Sequence, residues 1–287
     1  MKNRVFSIIL TMVVLTVSCS ACSSGSNDEP SASVTAQSNV EEKLATGGTS
    51  DSSLFEWDGN TITALTDEGK KTADIIIPEN CEAIKSVVFQ NSSAKTVSFA
   101  DDDDVKLDIM TFSSDSLEQI VLPANLSSIP NSCFQAADSL KSITIPASVT
   151  LLDNYAFSGC HSLKDVVFEG DSIEIIGMEC FSHCDAIETI NIPEGVTTID
   201  KNAFFDCTSL KSISLPSTLK IVGHSAFGSV PDLEELYFSE GIELEEIGDL
   251  WLVPGNTNVN IHIKEGSWCD KNRDSWNIWN FGTIVTE

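Results

Sequence analysis

Apolar and polar residues along this chain recur with a period of 23 residues. The block Leu140–Ser162, LKSITIPASVTLLDNYAFSGCHS, serves as reference, with Leu140 at position 1. Apolar residues then fall at position 4 (Ile143), 6 (Ile145), 10 (Val149) and 13 (Leu152), with Pro146 at position 7. Ala156 and Phe157 follow at positions 17 and 18, and Cys160 at position 21. The same register opens at Ala94, Leu117, Leu163, Ile187, Leu210 and Leu233, with a single 24-residue step, from Leu163 to Ile187. Each column keeps its chemistry. Position 4 reads Val97, Ile120, Ile143, Val166, Ile190, Ile213, Leu236, and position 6 reads Phe99, Leu122, Ile145, Phe168, Ile192, Leu215, Phe238. Phenylalanine recurs at position 18 as Phe134, Phe157, Phe181, Phe204 and Phe227.

Positions 4 and 6 lie two apart, so on a strand both side chains point to one side. Proline ends that strand, because it has no N–H to continue a ladder. The second apolar pair turns back over the core, and the Ala-Phe step closes the coil. Each coil leaves an apolar edge until a neighbour stacks on it, which is why such coils come in series. Stacked strands sit roughly 4.8 Å apart, so about nine coils predict a curved rod on the order of 40 Å long. The fold class expected is a β-rich solenoid, a right-handed coil with a parallel sheet.

The pattern LxxIxIPxxVxxIxxxAFxxCxx resembles the BspA-like bacterial leucine-rich repeat family. It is carried most clearly by LKSITIPASVTLLDNYAFSGCHS, IETINIPEGVTTIDKNAFFDCTS and LKSISLPSTLKIVGHSAFGSVPD, and the likeness runs from about residue 55 to 287. The motif is specific for a fold, not for a ligand. The resemblance implies an exported or surface-attached protein, and in some members an adhesin for host proteins or other bacteria.

Outside the repeat the pattern changes. Residues 1–18 carry Lys2 and Arg4 ahead of an apolar run from Val5 to Val17, which reads as a signal peptide too short for a transmembrane span. Cys19, after Leu15-Thr16-Val17-Ser18, has the look of a lipoprotein processing site, with Cys22 as alternative and ordinary cleavage near Ala21 as the plainer reading. Residues 19–50 are small and polar, as in a flexible stalk. Residues 51–71 predict a β cap, with Asp58-Gly59-Asn60 turning between Phe55-Glu56-Trp57 and Thr61-Ile62-Thr63. The solenoid spans 72–263, and its first coil places Ile75, Ile77, Pro78, Cys81, Ile84 and Phe89 in register. Residues 264–287, with Trp268, Trp276 and Trp279, predict a cap over the open end.

Net charge narrows the partners. The chain carries 43 acidic against 16 basic side chains, a formal charge of −27, and removal of the leader takes away two of the cations. That excludes nucleic acid, which needs a basic footprint, and peripheral docking on anionic lipid. Contact with a membrane is expected through the N-terminal lipid alone.

Several clusters look chemical until the register is applied. Asp101, Asp102, Asp103 and Asp104 are a calcium candidate, but ADDDDV lacks spaced ligands and the glycine of an EF-hand loop, and it falls where each coil turns outward. Cys180-Phe-Ser-His183-Cys184 resembles a metal site. Yet Cys180 shares its column with Ala156 and Ala203, and Cys184 with Cys160, Cys207 and Val230, as small core residues do. No other metal site is expected. Gly223-His224-Ser225-Ala226-Phe227 imitates a nucleophile elbow without its final glycine, and the register makes Ala226-Phe227 a core step. The seven cysteines beyond residue 50 are odd in number, so they cannot all pair; buried free thiols are expected, with the column Cys160, Cys184, Cys207 offering an adjacent pair for oxidation. No cofactor motif is present, and the chain reads as a non-enzyme.

Positions 3 and 5 alternate with 4 and 6 and so face outward. The candidate ligand face is therefore Gln119, Ser142, Thr144, Asp165, Thr189, Asn191, Ser212, Ser214, Glu235, Tyr237 and His262. It is small and polar. Extended faces of solenoids bind macromolecules, so the expected partner is an extracellular protein or matrix component. The alternative is a glycan, held by Tyr237, His262 and the C-terminal tryptophans.

Overall fold

In the computed structural model, residues 51–101, 103–253, 259–272 and 282–286 are described. Cys19, the leader, the stalk, Asp102, Trp276 and Trp279 lie outside them. Among the described residues the first strands form an antiparallel hairpin of β1 (Phe55–Asp58) and β2 (Thr61–Leu65). Front and back strands then alternate. The first three pairs are β3 (Asp74–Ile77) and β4 (Ala83–Ile84), β5 (Thr96–Phe99) and β6 (Lys106–Leu107), and β7 (Gln119–Ile120) and β8 (Ser128–Ile129). Next come β9 (Ser142–Ile145) and β10 (Leu151–Leu152), β11 (Asp165–Phe168) and β12 (Ile175–Ile176), β13 (Thr189–Asn191) and β14 (Thr198–Ile199), and β15 (Ser212–Leu215) and β16 (Ile221–Val222). The C-terminal part holds β17 (Phe227–Gly228), β18 (Glu235–Phe238), β19 (Glu246–Ile247), β20 (Leu252–Val253) and β21 (Val259–Ile263). A short helix, α1 (Trp268–Asn272), precedes β22 (Gly282–Thr286), which pairs in parallel with β21.

Every pairing after the hairpin is parallel and joins one coil to the next, as the single strand per face demands. The back strands carry position 13 inward, so Leu152 sits opposite Ile129 and Ile176 in a six-stranded ladder from β8 to β19. This back sheet is a finding of the structure; the repeat shows only an apolar pair there. Position 4 and 6 residues enter the core from the front and position 10 and 13 residues from the back.

The third side carries the Phe column. Phe89, Phe112, Phe134, Phe157, Phe181, Phe204 and Phe227 are all buried, and the central rings stack at centroid spacings of 5.1 to 5.3 Å. Phe112 belongs to this column although it stands one place late in its coil. Backbone bonds between coils staple the same side: the N–H of Phe134, Phe157 and Phe181 each donates to the next coil's position 17 carbonyl at 2.8 Å. To aim those N–H groups along the solenoid, positions 16 and 20 adopt left-handed backbone. Tyr155 has φ 60°, Asn202 57°, Asp206 60° and Gly159 74°. Among the described residues, two in most coils, and one in the coils of Met110 and Leu250, thus hold a conformation that costs an L residue about 1–2 kcal/mol, offset by the bonds it permits.

The thiols are core. Cys133, Cys160, Cys180, Cys184 and Cys207 are fully buried, and all seven cysteines of the described residues are free. Cys160, Cys184 and Cys207 donate their S–H to the Phe134, Phe157 and Phe181 carbonyls at 3.1 to 3.2 Å. Burial pushes the Cys160 and Cys207 thiols up to about 12. Among the described residues, no helix is long and apolar enough to cross a membrane.

Candidate binding face

The front sheet is not one ladder. It breaks into β3-β5-β7, β9-β11 and β13-β15-β18-β21-β22. The second break, between β11 and β13, coincides with the single 24-residue step. Leu152 pairs with Ile176 on the back, so the extra residue lies before Ile176, in the turn Glu169-Gly170-Asp171-Ser172 that replaces Pro146-Ala147-Ser148. Chain length added to that turn displaces the front while the back stays paired through β12 and β14. Asp171 then stands against the following turn: its Oδ1 accepts from the Glu194 N–H at 3.2 Å, and a Cβ on residue 195 would overlap the Asp171 carbonyl oxygen, which is why a glycine occupies that position.

The consequence is a cleft of about 480 Å³ between β11 and β13, lined by residues that include Asp165, Val167, Phe168, Thr189, Asn191 and Glu194. Val166 is half-buried, whereas the other position 4 residues among those described are buried. At one end Lys164 Nζ reaches across to Glu188 Oε1 at 3.4 Å. At the other end the Asp171–Glu194 bond closes it.

The sequence-derived face residues sort into groups. Asp165, Thr189 and Asn191 come together in the cleft. Ser142 and Thr144 face Asp165 and Val167 across the β9–β11 ladder. Ser212 and Ser214 pair with Thr189 and Asn191 on one side and with Glu235 and Tyr237 on the other. Gln119 lies on the separate N-terminal sheet. Towards the C-terminus the Tyr237 and His262 rings stack at 4.2 Å, and Glu235 holds both Asn260 Nδ2 at 2.8 Å and His262 Nε2 at 2.6 Å. Those bonds, the Asn260 one first, lower the Glu235 carboxyl below its ordinary value. One outward position departs from expectation: Ser98, at position 5, is buried. The reading of positions 3 and 5 did not single out Lys164, Phe168, Asp171 or Glu194, although the 24-residue step marks where they gather.

The clusters that looked chemical are placed as follows. Asp104 Oδ1 accepts from the backbone N–H and the hydroxyl of Ser127, and Asp101 Oδ1 accepts weakly from the Asp103 N–H. His183 stands exposed on a left-handed turn, 3.1 Å from Asp206, while Cys180 and Cys184 point into the core. Among the described residues no group of three or more candidate metal ligands converges.

Comparison with known proteins agrees with the geometry. The BspA type leucine rich repeat region matches in six copies, over residues 67–164 and 127–250. The chain belongs to this family of leucine-rich repeat solenoids. Such repeats are in general protein-interaction scaffolds rather than enzymes. Solved structures with similarity include a leucine-rich repeat protein from Bacteroides ovatus, at 19% identity and TM-score 0.49, covering 79% of this chain and 75% of that one. The T. pallidum leucine rich repeat protein shows 18% identity and TM-score 0.43 over 84% of this chain and 100% of its own. The pneumococcal vaccine antigen PcpA shows 16% identity and TM-score 0.41 over 78% and 82%. No curated protein sequence matches this chain.

Proposed function

We propose that this protein is an exported lipoprotein, anchored at the cell surface through Cys19, that binds an extracellular protein or matrix component through its front sheet. The observation that carries the reading is the face itself. A contiguous outward row runs from the short polar side chains of β13 and β15 (Thr189, Asn191, Ser212, Ser214) to the Tyr237–His262 pair on β18 and β21, with a cleft at its margin. Short side chains leave the surface accessible to a large partner and lose little entropy on binding. Support for export comes from the leader and the Cys19 context.

Two measurements test it. Metabolic labelling with a lipid analogue should mark the wild-type protein and not Cys19→Ala; labelling of both, or of neither, removes the anchor. The chain from Cys19 onward, immobilised and probed with purified extracellular-matrix proteins, should bind saturably, and Ser214→Trp should block that binding by its bulk. Absence of saturable binding, or binding indifferent to Ser214→Trp, overturns the face. A glycan array run in parallel separates the alternative, since binding there that is lost in Tyr237→Ala would assign the face to a sugar.

A further inference from the structure

We propose that the split between β11 and β13 is a specificity slot that accepts one cationic side chain, arginine or lysine, from an extended segment of the partner. The proposal rests on the binding-face reading above and names the chemistry of its partner.

Three features of the slot converge on that occupant. The first is backbone polarity. In a parallel ladder the N–H and C=O of one residue point to the same neighbour, and successive residues alternate. Glu169 N–H donates back to Ile145 and Asp165 N–H back to Lys141, so the backbone groups of Val166 and Phe168 face forward, into the slot. Ile192 N–H donates on to Ser214, so those of Thr189 and Asn191 face back into it. β11 and β13 are not bonded to each other, which leaves N–H donors and carbonyl acceptors on both walls, the pairing groups that an extended guest backbone needs. The second is charge. Asp165 and Asp171 line the slot, Glu194 beside them is held by the Ser217 N–H and hydroxyl at 3.0 and 2.6 Å, and the lining cation Lys164 is drawn to Glu188. A guest bearing positive charge meets the Asp165 and Asp171 carboxylates, and the protein's net charge of −27 favours its approach. The third is the apolar wall. Val166, Val167 and Phe168 are only partly buried and offer a surface for the aliphatic stem of a long basic side chain, whose head then reaches the carboxylates. A guanidinium fits such a site best, since it is weakly hydrated and carries five donors.

The sequence device behind the slot is a single inserted residue. The one coil with 24 residues parts its front strand from the next while its back strand stays paired on both sides.

The test uses the chain from Cys19 onward and a short acetylated Ser/Thr/Val peptide with one central arginine. Companion peptides carry citrulline or glutamate at that place. Fluorescence anisotropy should show one-to-one binding of the arginine peptide, weakened about tenfold or more by citrulline, because a charge-assisted hydrogen bond is lost. Asp165→Lys and Val167→Trp should each weaken it by a similar factor or more, and the distant surface change Lys201→Glu should not. Circular dichroism of each variant shows that the fold is kept. Equal binding of the arginine and citrulline peptides overturns the slot, as does binding insensitive to both Asp165→Lys and Val167→Trp, or no binding of any peptide. Should Ser214→Trp still block a matrix protein while the slot variants leave it bound, the slot falls and the binding face stands.

Discussion

Phe157 shows what a single residue contributes. Its ring lies between Phe134 at 5.1 Å and Phe181 at 5.2 Å and is wholly buried. Stacking at the spacing of parallel strands means that each ring fills the gap its neighbours leave. Truncation removes packing on both sides, so Phe157→Ala should cost about 3–5 kcal/mol in guanidinium unfolding monitored by circular dichroism. Gly159 is constrained in another way. Its φ of 74° is left-handed, and nothing crowds the place of a Cβ, so the penalty for a side chain is conformational rather than steric. Gly159→Val should therefore lose about 1–2 kcal/mol, and Gly159→Asn distinctly less, since asparagine tolerates that region. The repeat pattern makes both residues visible as columns. It does not show that position 20 is left-handed, because Ala136, His183 and Asp206 occupy it as well as glycine.

At the scale of the element, the coils are joined by more than backbone ladders. Glu118 bridges Lys95 at 3.0 Å and Lys141 at 2.7 Å, so the second bridge spans the break between β7 and β9. Hydrogen bonds and attraction from both lysines hold the Glu118 carboxyl down at about 2 from an ordinary 4.5. Because the folded value is the depressed one, the stabilisation is present above pH 4.5 and is lost as pH falls from 4.5 towards 2. The melting temperature of wild type should exceed that of Glu118→Gln at pH 7, and the gap should close over that acid range. The bridge is partly exposed, so added salt should narrow the gap too. Position 9 provides a second brace. The Thr218 hydroxyl donates to the Val196 carbonyl at 2.9 Å and also to the Glu194 carbonyl, as the Ser148 hydroxyl does to Ala124 and Leu126 three coils earlier. Thr218→Val keeps the volume and removes those bonds; a loss of about 1 kcal/mol is expected in the same unfolding assay. Strand positions were legible from alternation and proline placement. The two-residue back strands were not, since a run of that length has no alternation to read.

For the molecule as a whole, charge and continuity matter most. With 43 acids against 16 bases, the surface repels itself. Raising sodium chloride from low to physiological strength should raise the melting temperature, since screening relieves more repulsion than attraction in so acidic a chain. A fall would mean that the inter-coil ion pairs outweigh the net charge. Continuity is uneven across the molecule. Back and third sides run unbroken through the middle coils, while the front sheet parts in two places. That arrangement keeps the rod rigid and leaves one face with unpaired strand edges.

The sequence alone determined the coil length, the front strands, the buried columns and the demotion of the Cys-His cluster to core and turn. These follow from side-chain periodicity, which each coil reports independently of the others. It also marked the place of the cleft, through one supernumerary residue, without revealing what that residue does. Only the tertiary structure decided that the extra length is taken up at the front. The reason is mechanical: Ile176 stays in register with Leu152 and Ile199 in the back ladder and all three are buried, so the added length is taken up at the front. The grouping of Asp165, Thr189 and Asn191 around an opening is likewise a property of neighbouring coils, and a single coil's sequence does not contain it.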